Sequence, residues 1–235
     1  MKRICLWSGP RNVSTALMYS FAQRSDTKVA DEPLYGHYLR VSGMKHPGYQ
    51  EVLDAQNTDG NAVLADLMSY AERPVFFIKH MAHHLVDVDR SFLADTVNVL
   101  LVRDPEQMLP SLINQIPTPN LRDTGLAIQA DLFRELQNLG QMPAVLDAKA
   151  TLLNPEGVLK KLCQHIGLRF DPAMLQWQAG ALEEDGVWAP HWYHNVHKST
   201  GFQEYTEKTD PFPEELRLLL AECKPHYEFL LDKAI

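Results

Sequence analysis

Apolar and polar positions alternate between two regimes along the chain. Short apolar runs bounded by turn residues occupy 3–7, 28–30, 75–78, 97–102 and 144–146. This is the pattern of strands buried on both faces of a parallel sheet. Between them, apolar residues recur at helical spacing over 14–23, 61–72, 105–114 and 124–139. Strands alternating with helices predict an α/β fold: a doubly wound, mostly parallel sheet flanked by helices, with right-handed crossovers. Asn154-Pro155-Glu156 opens a further helix, with Asn154 as cap and Pro155 in the first turn. Its apolar face is Val158, Leu159, Leu162 and Ile166, and Gly167 ends it. The pattern closes with a helix over 213–222 and a short second one after Pro225. Residues 176–210 are rich in Trp, His, Gly and Pro and show no clean period. A long irregular stretch in a compact domain reads as a functional segment, here a lid or substrate segment.

A length of 235 residues fits one domain spanning 1–235. The net charge of -8 argues against an extended basic footprint for nucleic acid. Any anionic ligand must then be held by local groups and not by the overall field. Cys5, Cys163 and Cys223 are odd in number and scattered, which suits reduced core residues of a cytoplasmic protein better than a disulfide framework. The N-terminal apolar run is too short for the core of a signal peptide, and no run approaches a membrane span. A cytoplasmic protein is expected; the pattern specifies no oligomeric state.

The first candidate for chemistry follows the first strand. An apolar run stops at Gly9, and Pro10-Arg11-Asn12-Val13-Ser14-Thr15 leads into a helical segment. A strand, a loop with free backbone N–H groups and a helix N-terminus together favour a phosphate-like group. The second glycine and the Lys-Ser/Thr pair of an ATP- or GTP-binding loop are missing. Arg11 supplies a permanently charged fork in their place. The structural alternative is that Ser14 or Thr15 only caps the helix while Arg11 is a surface charge. A second strand ends in the same way, at Arg103-Asp104-Pro105. Asp104 reads as a cap, and Ser111, seven residues on, returns to its helix face after about two turns. Arg103 and Ser111 thus converge on one anion unless Arg103 merely pairs with Asp104 or Glu106. Ligands of open α/β sheets bind at the carboxyl ends of strands, so two basic strand ends weigh more than one.

These segments together resemble the sulfotransferase family that uses 3′-phosphoadenosine 5′-phosphosulfate (PAPS). Pro10-Arg11-Asn12-Val13-Ser14-Thr15 is similar to that family's 5′-phosphosulfate loop, and Arg103 with Ser111 to its 3′-phosphate motif. Asp31-Glu32-Pro33-Leu34 resembles a segment after the second strand of carbohydrate-type members. Val145-Leu146-Asp147, Leu153-Asn154-Pro155-Glu156 and Ile166-Gly167-Leu168 resemble the fifth strand and the helix after it. His197-Lys198-Ser199-Thr200-Gly201-Phe202 resembles the late loop that closes over the donor. The resemblance runs in order from about residue 3 to residue 202. It implies that Gly9, Pro10, Arg11, Asn12, Val13, Ser14, Thr15, Arg103, Ser111, Lys198, Ser199, Thr200 and Gly201 bind PAPS.

The implied reaction moves a sulfuryl group to a hydroxyl or amine of a small acceptor. Charge grows on the leaving oxygen, where Arg11 is the expected cation and Lys79 a second one. Glu32 and His80 are the candidates for the base that takes the acceptor proton, with Glu32 preferred on the carbohydrate-type likeness. Their structural alternatives are a helix-cap charge and a buried, hydrogen-bonded histidine. Two departures stand out. The family's Ser-Gly after the basic residue is Asn12-Val13 here, and its Lys-x-His is the adjacent pair Lys79-His80, a shift of the histidine by one that would turn it away from the cleft. His80, His83 and His84, and His191, His194 and His197, have some of the spacing of zinc ligands, but no His-Glu-x-x-His occurs and no metal is expected. Two other functions fit less well. A kinase-like phosphate-binding enzyme lacks its Gly-Lys-Ser/Thr and an evident strand-end Asp for Mg²⁺. A catalytically silent nucleotide-binding protein would keep Arg11 and Arg103 without a working base.

Overall fold

In a computed structural model describing residues 1–235, the five apolar runs are five strands: β1 (Lys2–Ser8), β2 (Thr27–Asp31), β3 (Val75–Met81), β4 (Val97–Val102) and β5 (Ala144–Asp147). They form one wholly parallel sheet in the order β2-β3-β1-β4-β5. Helices α1 (Ser14–Ala22), α2 (Tyr35–Ser42), α3 (Tyr49–Ala55) and α4 (Gly60–Ser69) lie in the crossovers between the first three strands. Next come α5 (Pro105–Leu112), α6 (Leu121–Thr124) and α7 (Leu126–Asn138), between β4 and β5. After β5 follow α8 (Ala148–Leu153), α9 (Pro155–His165), α10 (Ala189–Trp192) and α11 (Arg217–Leu231).

The alternation of side chains along a strand builds two cores. Ile4, Leu6, Phe77, Val99 and Leu101 face Leu17 and Phe21 of α1 and Leu159 and Leu162 of α9. Cys5, Trp7, Ile78, Leu100 and Val102 face Leu132, Phe133 and Leu136 of α7 and Leu220 of α11. All three cysteines are buried and free. The strands outrun their apolar cores at the carboxyl end, because backbone pairing carries them on: Ser8 is opposite Met81, and Asp31 is opposite Lys79. Polar residues are thereby delivered to the end of the sheet where a ligand binds.

Several local signals act as expected. The Asp104 side chain caps α5 through the Glu106 N–H at 2.8 Å, and Asn154 caps α9 through the Gly157 N–H at 3.0 Å. Gly167, at φ 65°, follows the end of α9. The helix expected over 124–139 is broken by Gly125, whose φ of 72° separates α6 from α7. Helices α2 and α3 escape the periodicity, because α2 buries mainly Tyr35, His37 and Tyr38 and the short α3 buries only Val52, in a cluster completed by Trp188 and Tyr193 from the late segment. The two expected C-terminal helices are one, α11, with Pro225 inside it. The proline costs about 3 kcal/mol, whereas Leu219, Leu220 and Cys223 before it and Leu230 after it are buried along one helix, each gaining about 1.5–3 kcal/mol if fully covered.

The irregular segment 176–210 contains α10 and a short 3-10 turn at Val196–Lys198. It is tied down at intervals. Gln176 bridges to Gly201, the Trp177 indole donates to Ser199 Oγ at 3.1 Å, and Asp185 receives Tyr19 Oη at 2.5 Å and pairs with His197 at 2.9 Å.

Candidate active site

A cavity of about 420 Å³ opens at the carboxyl end of the sheet, beside the central strand β1. Residues Gly9 through Ala16 form one wall of it. A Cβ on Gly9 would sit 2.3 Å from the Thr124 carbonyl oxygen, so only glycine lets the loop pass here. The left-handed turn falls on Arg11, at φ 53°, and not on the position where the family's glycine is replaced. Asn12 uses its side chain to hold the loop, donating to the Leu101 carbonyl at 3.1 Å and accepting from the Val13 N–H at 2.8 Å. The N-cap of α1 is Val13, and no side chain caps the helix. Its first N–H groups are therefore left for another acceptor, which removes the alternative that Ser14 or Thr15 serves only as a cap. Arg11 Nε is buried with no hydrogen-bond partner, and burial lowers the pKa of this guanidinium.

Arg103 also lines the cavity and donates from Nη1 to the Arg11 carbonyl at 2.6 Å, so the two strand ends are joined directly. Neither arginine lies within ion-pair distance of a carboxylate, which sets aside the pairing of Arg103 with Asp104 or Glu106. Two half-buried cations without counterions, in a chain of net charge -8, make this wall of the cavity suited to an anion.

The same cavity reaches a buried ionic cluster. Lys79 Nζ, on a side chain 1% exposed, donates to Asp31 Oδ1 at 2.8 Å, Glu32 Oε1 at 2.5 Å and Tyr193 Oη at 2.6 Å. Tyr193 Oη in turn donates to Asp31 Oδ2 at 2.8 Å and receives the Trp188 indole N–H at 3.2 Å. The three donors of Lys79 are all engaged within the protein. Its expected role as a second cation on the leaving oxygen is therefore replaced by that of counterion to two carboxylates. Burial works to lower the Lys79 pKa, but Asp31 and Glu32 outweigh it and hold the ammonium above its ordinary value. For Glu32, burial outweighs the pull of Lys79 and, with repulsion from Asp31, leaves the carboxyl raised. The protein's hydrogen bonds to this side chain fall on Oε1. Its backbone sits at φ 39°, held by the Glu32 N–H to the Lys79 carbonyl at 2.9 Å and by Gln56 Nε2 on the Glu32 carbonyl at 3.1 Å. A left-handed, non-glycine residue over-determined in this way is characteristic of functional sites.

His80 does not reach the cavity. Successive strand residues face opposite ways, so with Lys79 turned inward the imidazole packs into the other core, stacked on Trp7 at 4.3 Å. Burial, then the charge of Lys79, pushes its pKa down to about 3. Neither ring nitrogen has a hydrogen-bond partner, so His80 is a neutral packing group and not the base considered above. The cavity's remaining wall is aromatic and imidazole-rich, with Tyr35, Tyr38, His46, His83, His84 and Trp192. His84 stacks between Tyr35 and Tyr38 at 4.8 and 4.7 Å. His83, pushed down to about 3 by burial, and His84, lowered by burial, are neutral at physiological pH. No group of three or more His, Cys, Asp or Glu is placed to hold a metal ion.

The other expected residues divide between two places. Ser199 and Gly201 line the cavity. Lys198 and Thr200 are exposed on an adjoining groove that shares Ser199 and Gly201 with it. Ser111, on α5, is not among the residues lining the cavity; it takes a hydrogen bond from Lys208 Nζ. Sequence reasoning missed Lys208 and Gln129. Gln129 ties the ends of β1 and β4 together, its Nε2 donating to the Trp7 and Leu101 carbonyls at 2.9 and 3.0 Å. A buried glutamine inside an apolar helix face was the available signal for it.

A wholly parallel α/β sheet with an arginine-bearing loop after its central strand places the chain in the open-sheet α/β class, whose ligands bind at the carboxyl ends of the strands. More narrowly, the sulfotransferase domain family matches residues 1–234, and the chain belongs to that family. Solved structures agree in fold. A sulfotransferase domain from the curacin biosynthetic pathway superposes with a TM-score of 0.55 at 17% identity, covering 95% of this chain and 97% of its own. A sulfotransferase from Alicyclobacillus acidocaldarius gives 0.57 at 11% identity, covering 99% and 95%. Branched-chain-amino-acid aminotransferase-like protein 2 of Arabidopsis thaliana is 36% identical over 232 residues, 98% of this chain and 41% of that protein. Its companion, aminotransferase-like protein 1, is 37% identical over 226 residues, 95% of this chain and 40% of that protein. The chain thus spans about two fifths of the length of these curated relatives.

Proposed function

We propose that this sulfotransferase-family protein transfers a sulfuryl group from PAPS to a hydroxyl or amine of a small acceptor, with Glu32 as the base. The observation that carries the reading is that the unneutralised Arg11 and Arg103 and the Lys79-held Glu32 line one cavity. A donor with two separated anionic ends matches the arginine side. The free N–H groups of α1 and Arg11 would hold the phosphosulfate, and Arg103 the 3′-phosphate. Bound there, the donor supplies an activated sulfur that accepts the acceptor's oxygen or nitrogen while its bond to the bridging phosphate oxygen breaks.

The chain's own residues account for the remaining requirements. Arg11 and the helix N-terminus stabilise charge growing on the departing bisphosphate. Glu32 Oε2 accepts the acceptor proton, and Lys79 compensates the charge of Oε1 before transfer. The aromatic and neutral imidazole wall of Tyr35, Tyr38, His46, His83 and His84 cradles the acceptor.

Calorimetry with adenosine 3′,5′-bisphosphate and with ATP, each with and without Mg²⁺, tests the donor side. The bisphosphate binds without metal, and Arg103→Ala weakens it by more than about tenfold, as expected for charged hydrogen bonds of roughly 1.5–3 kcal/mol. Tighter binding of Mg-ATP would point to a kinase-like enzyme instead. On the acceptor side, Glu32→Gln abolishes sulfation of an acceptor panel while leaving the bisphosphate affinity intact.

A further inference from the structure

Asp123 lines the same cavity and has no part in the chemistry described above. In the sequence it stands third in α6, where it closes a capping box with Asn120, and that accounts for one of its oxygens: Oδ2 accepts the Asn120 N–H at 2.9 Å. The residue is 8% exposed, yet Oδ1 has no hydrogen-bond partner in the protein and stays open to the cavity. Glu32, also 8% exposed, leaves Oε2 open in the same way. Arg122, the cation next to Asp123, is exposed, does not line the cavity and forms no ion pair with it. Lys79 is fully engaged, and His83 and His84 are neutral.

Rings join the two carboxylates. Glu32 lies within electrostatic range of Tyr35, and Asp123 within range of Tyr38 and His46. Tyr35 and Tyr38 are linked through His84 by stacks of 4.8 and 4.7 Å, so the carboxylates mark the two ends of a row of rings. A buried carboxylate oxygen with no donor costs free energy until one is supplied, and aromatic faces attract a cation through the ring quadrupole. An ammonium group answers both. We propose that Asp123 determines acceptor specificity: it binds an ammonium group at the far end of an aromatic acceptor whose reacting hydroxyl or amine lies at Glu32. The substrate class is thus a flat-ring alcohol or amine carrying a second, protonated amine, and the proposal rests on the acceptor reading above. An acceptor ending in a carboxylate meets Asp123 with like charge and is rejected, and a neutral one leaves Oδ1 unpaired.

The test uses three alcohols built on one ring: para-(aminomethyl)benzyl alcohol, para-methylbenzyl alcohol and para-(hydroxymethyl)benzoate. Calorimetry on the wild-type chain, with and without saturating adenosine 3′,5′-bisphosphate, needs no variant. The ammonium alcohol binds about ten- to a hundredfold more tightly than the neutral one, and the carboxylate binds most weakly. The same titrations follow on Asp123→Asn, which keeps a carbonyl oxygen for the Asn120 N–H, and on Asp123→Glu, which keeps both the charge and the capping box, with a thermal melt of each to establish that it folds. Asp123→Asn removes the preference while changing the affinity for the neutral alcohol by less than about twofold, and Asp123→Glu retains most of it. A wild type that does not prefer the ammonium alcohol, or a preference that survives Asp123→Asn, overturns the proposal and leaves the acceptor reading standing. Displacement of the bound alcohol by the bisphosphate refutes the acceptor reading itself, and this proposal with it.

Discussion

Replacing Lys79 by Met is the most direct perturbation of the cluster beneath the site. In the native chain one ammonium, 1% exposed, is shared between Asp31 at 2.8 Å and Glu32 at 2.5 Å. At an effective dielectric near 20, each contact amounts to about 6 kcal/mol of Coulomb attraction, offset by several kcal/mol of desolvation per ion. Methionine fills the space but leaves two adjacent carboxylates buried without a counterion, for which a loss of about 3–5 kcal/mol is expected at pH 7. The sign of the pH dependence follows from the charges left behind. Without Lys79, burial and mutual repulsion raise the folded-state pKa of the carboxylate pair above its unfolded value. Such a group's contribution is fully present below the unfolded pKa and is lost as pH rises through the folded one. Urea unfolding of wild type and Lys79→Met should therefore show a deficit that is small near pH 4.5 and grows towards pH 7.5. Lys79→Met combined with Asp31→Asn should regain more than about 1 kcal/mol at pH 7, because one of the two stranded charges is gone. A deficit below about 1 kcal/mol at pH 7, or one equal at the two pH values, would refute the account of Lys79 as a buried counterion.

Other expectations follow from the same geometry. The wild-type turnover should fall as pH drops through a carboxyl pKa above the ordinary glutamate value of about 4.3, since Glu32 is raised by burial and must be ionised to accept a proton; an acid limb at or below that value argues against Glu32 as base. Gly9→Ala forces a Cβ to 2.3 Å from the Thr124 carbonyl, so it should lower the melting temperature and weaken bisphosphate binding, and unchanged calorimetry would contradict the close passage. His80→Phe preserves the stack on Trp7 and should change turnover by less than about threefold and stability by less than about 1.5 kcal/mol. A drop of a hundredfold or more, the scale of a lost general base, would restore His80 to the chemistry.

Much of this architecture is legible in local sequence. The five apolar runs became the five strands, and Asp104, Asn154 and Gly167 bound their helices as their residue types require. The cavity-lining loop after β1 was legible because Gly9, Arg11 and the start of α1 are contiguous in the chain. Arg103 was legible because strand ends gather at one edge of a parallel sheet. Helix α2 was not, since its buried residues are mostly Tyr and His that become apolar contacts only once Trp188 and Tyr193 cover them, and α3 buries only Val52.

The parts that only the tertiary structure decided are those defined by contact across the chain. Whether Lys79 or His80 faces the cavity depends on which side of β3 the loop and α1 cover, and strand alternation alone allows either one. That Lys79 serves Asp31, Glu32 and Tyr193 requires segments 47, 48 and 114 residues away to arrive at one ammonium. Lys208 meets Ser111 across 97 residues. Backbone conformation is set by neighbours in sequence, and so it shows in the pattern of the chain. Charge, by contrast, acts through space and is strongest where water is excluded, so the partner of a buried ion exists only after the chain has folded.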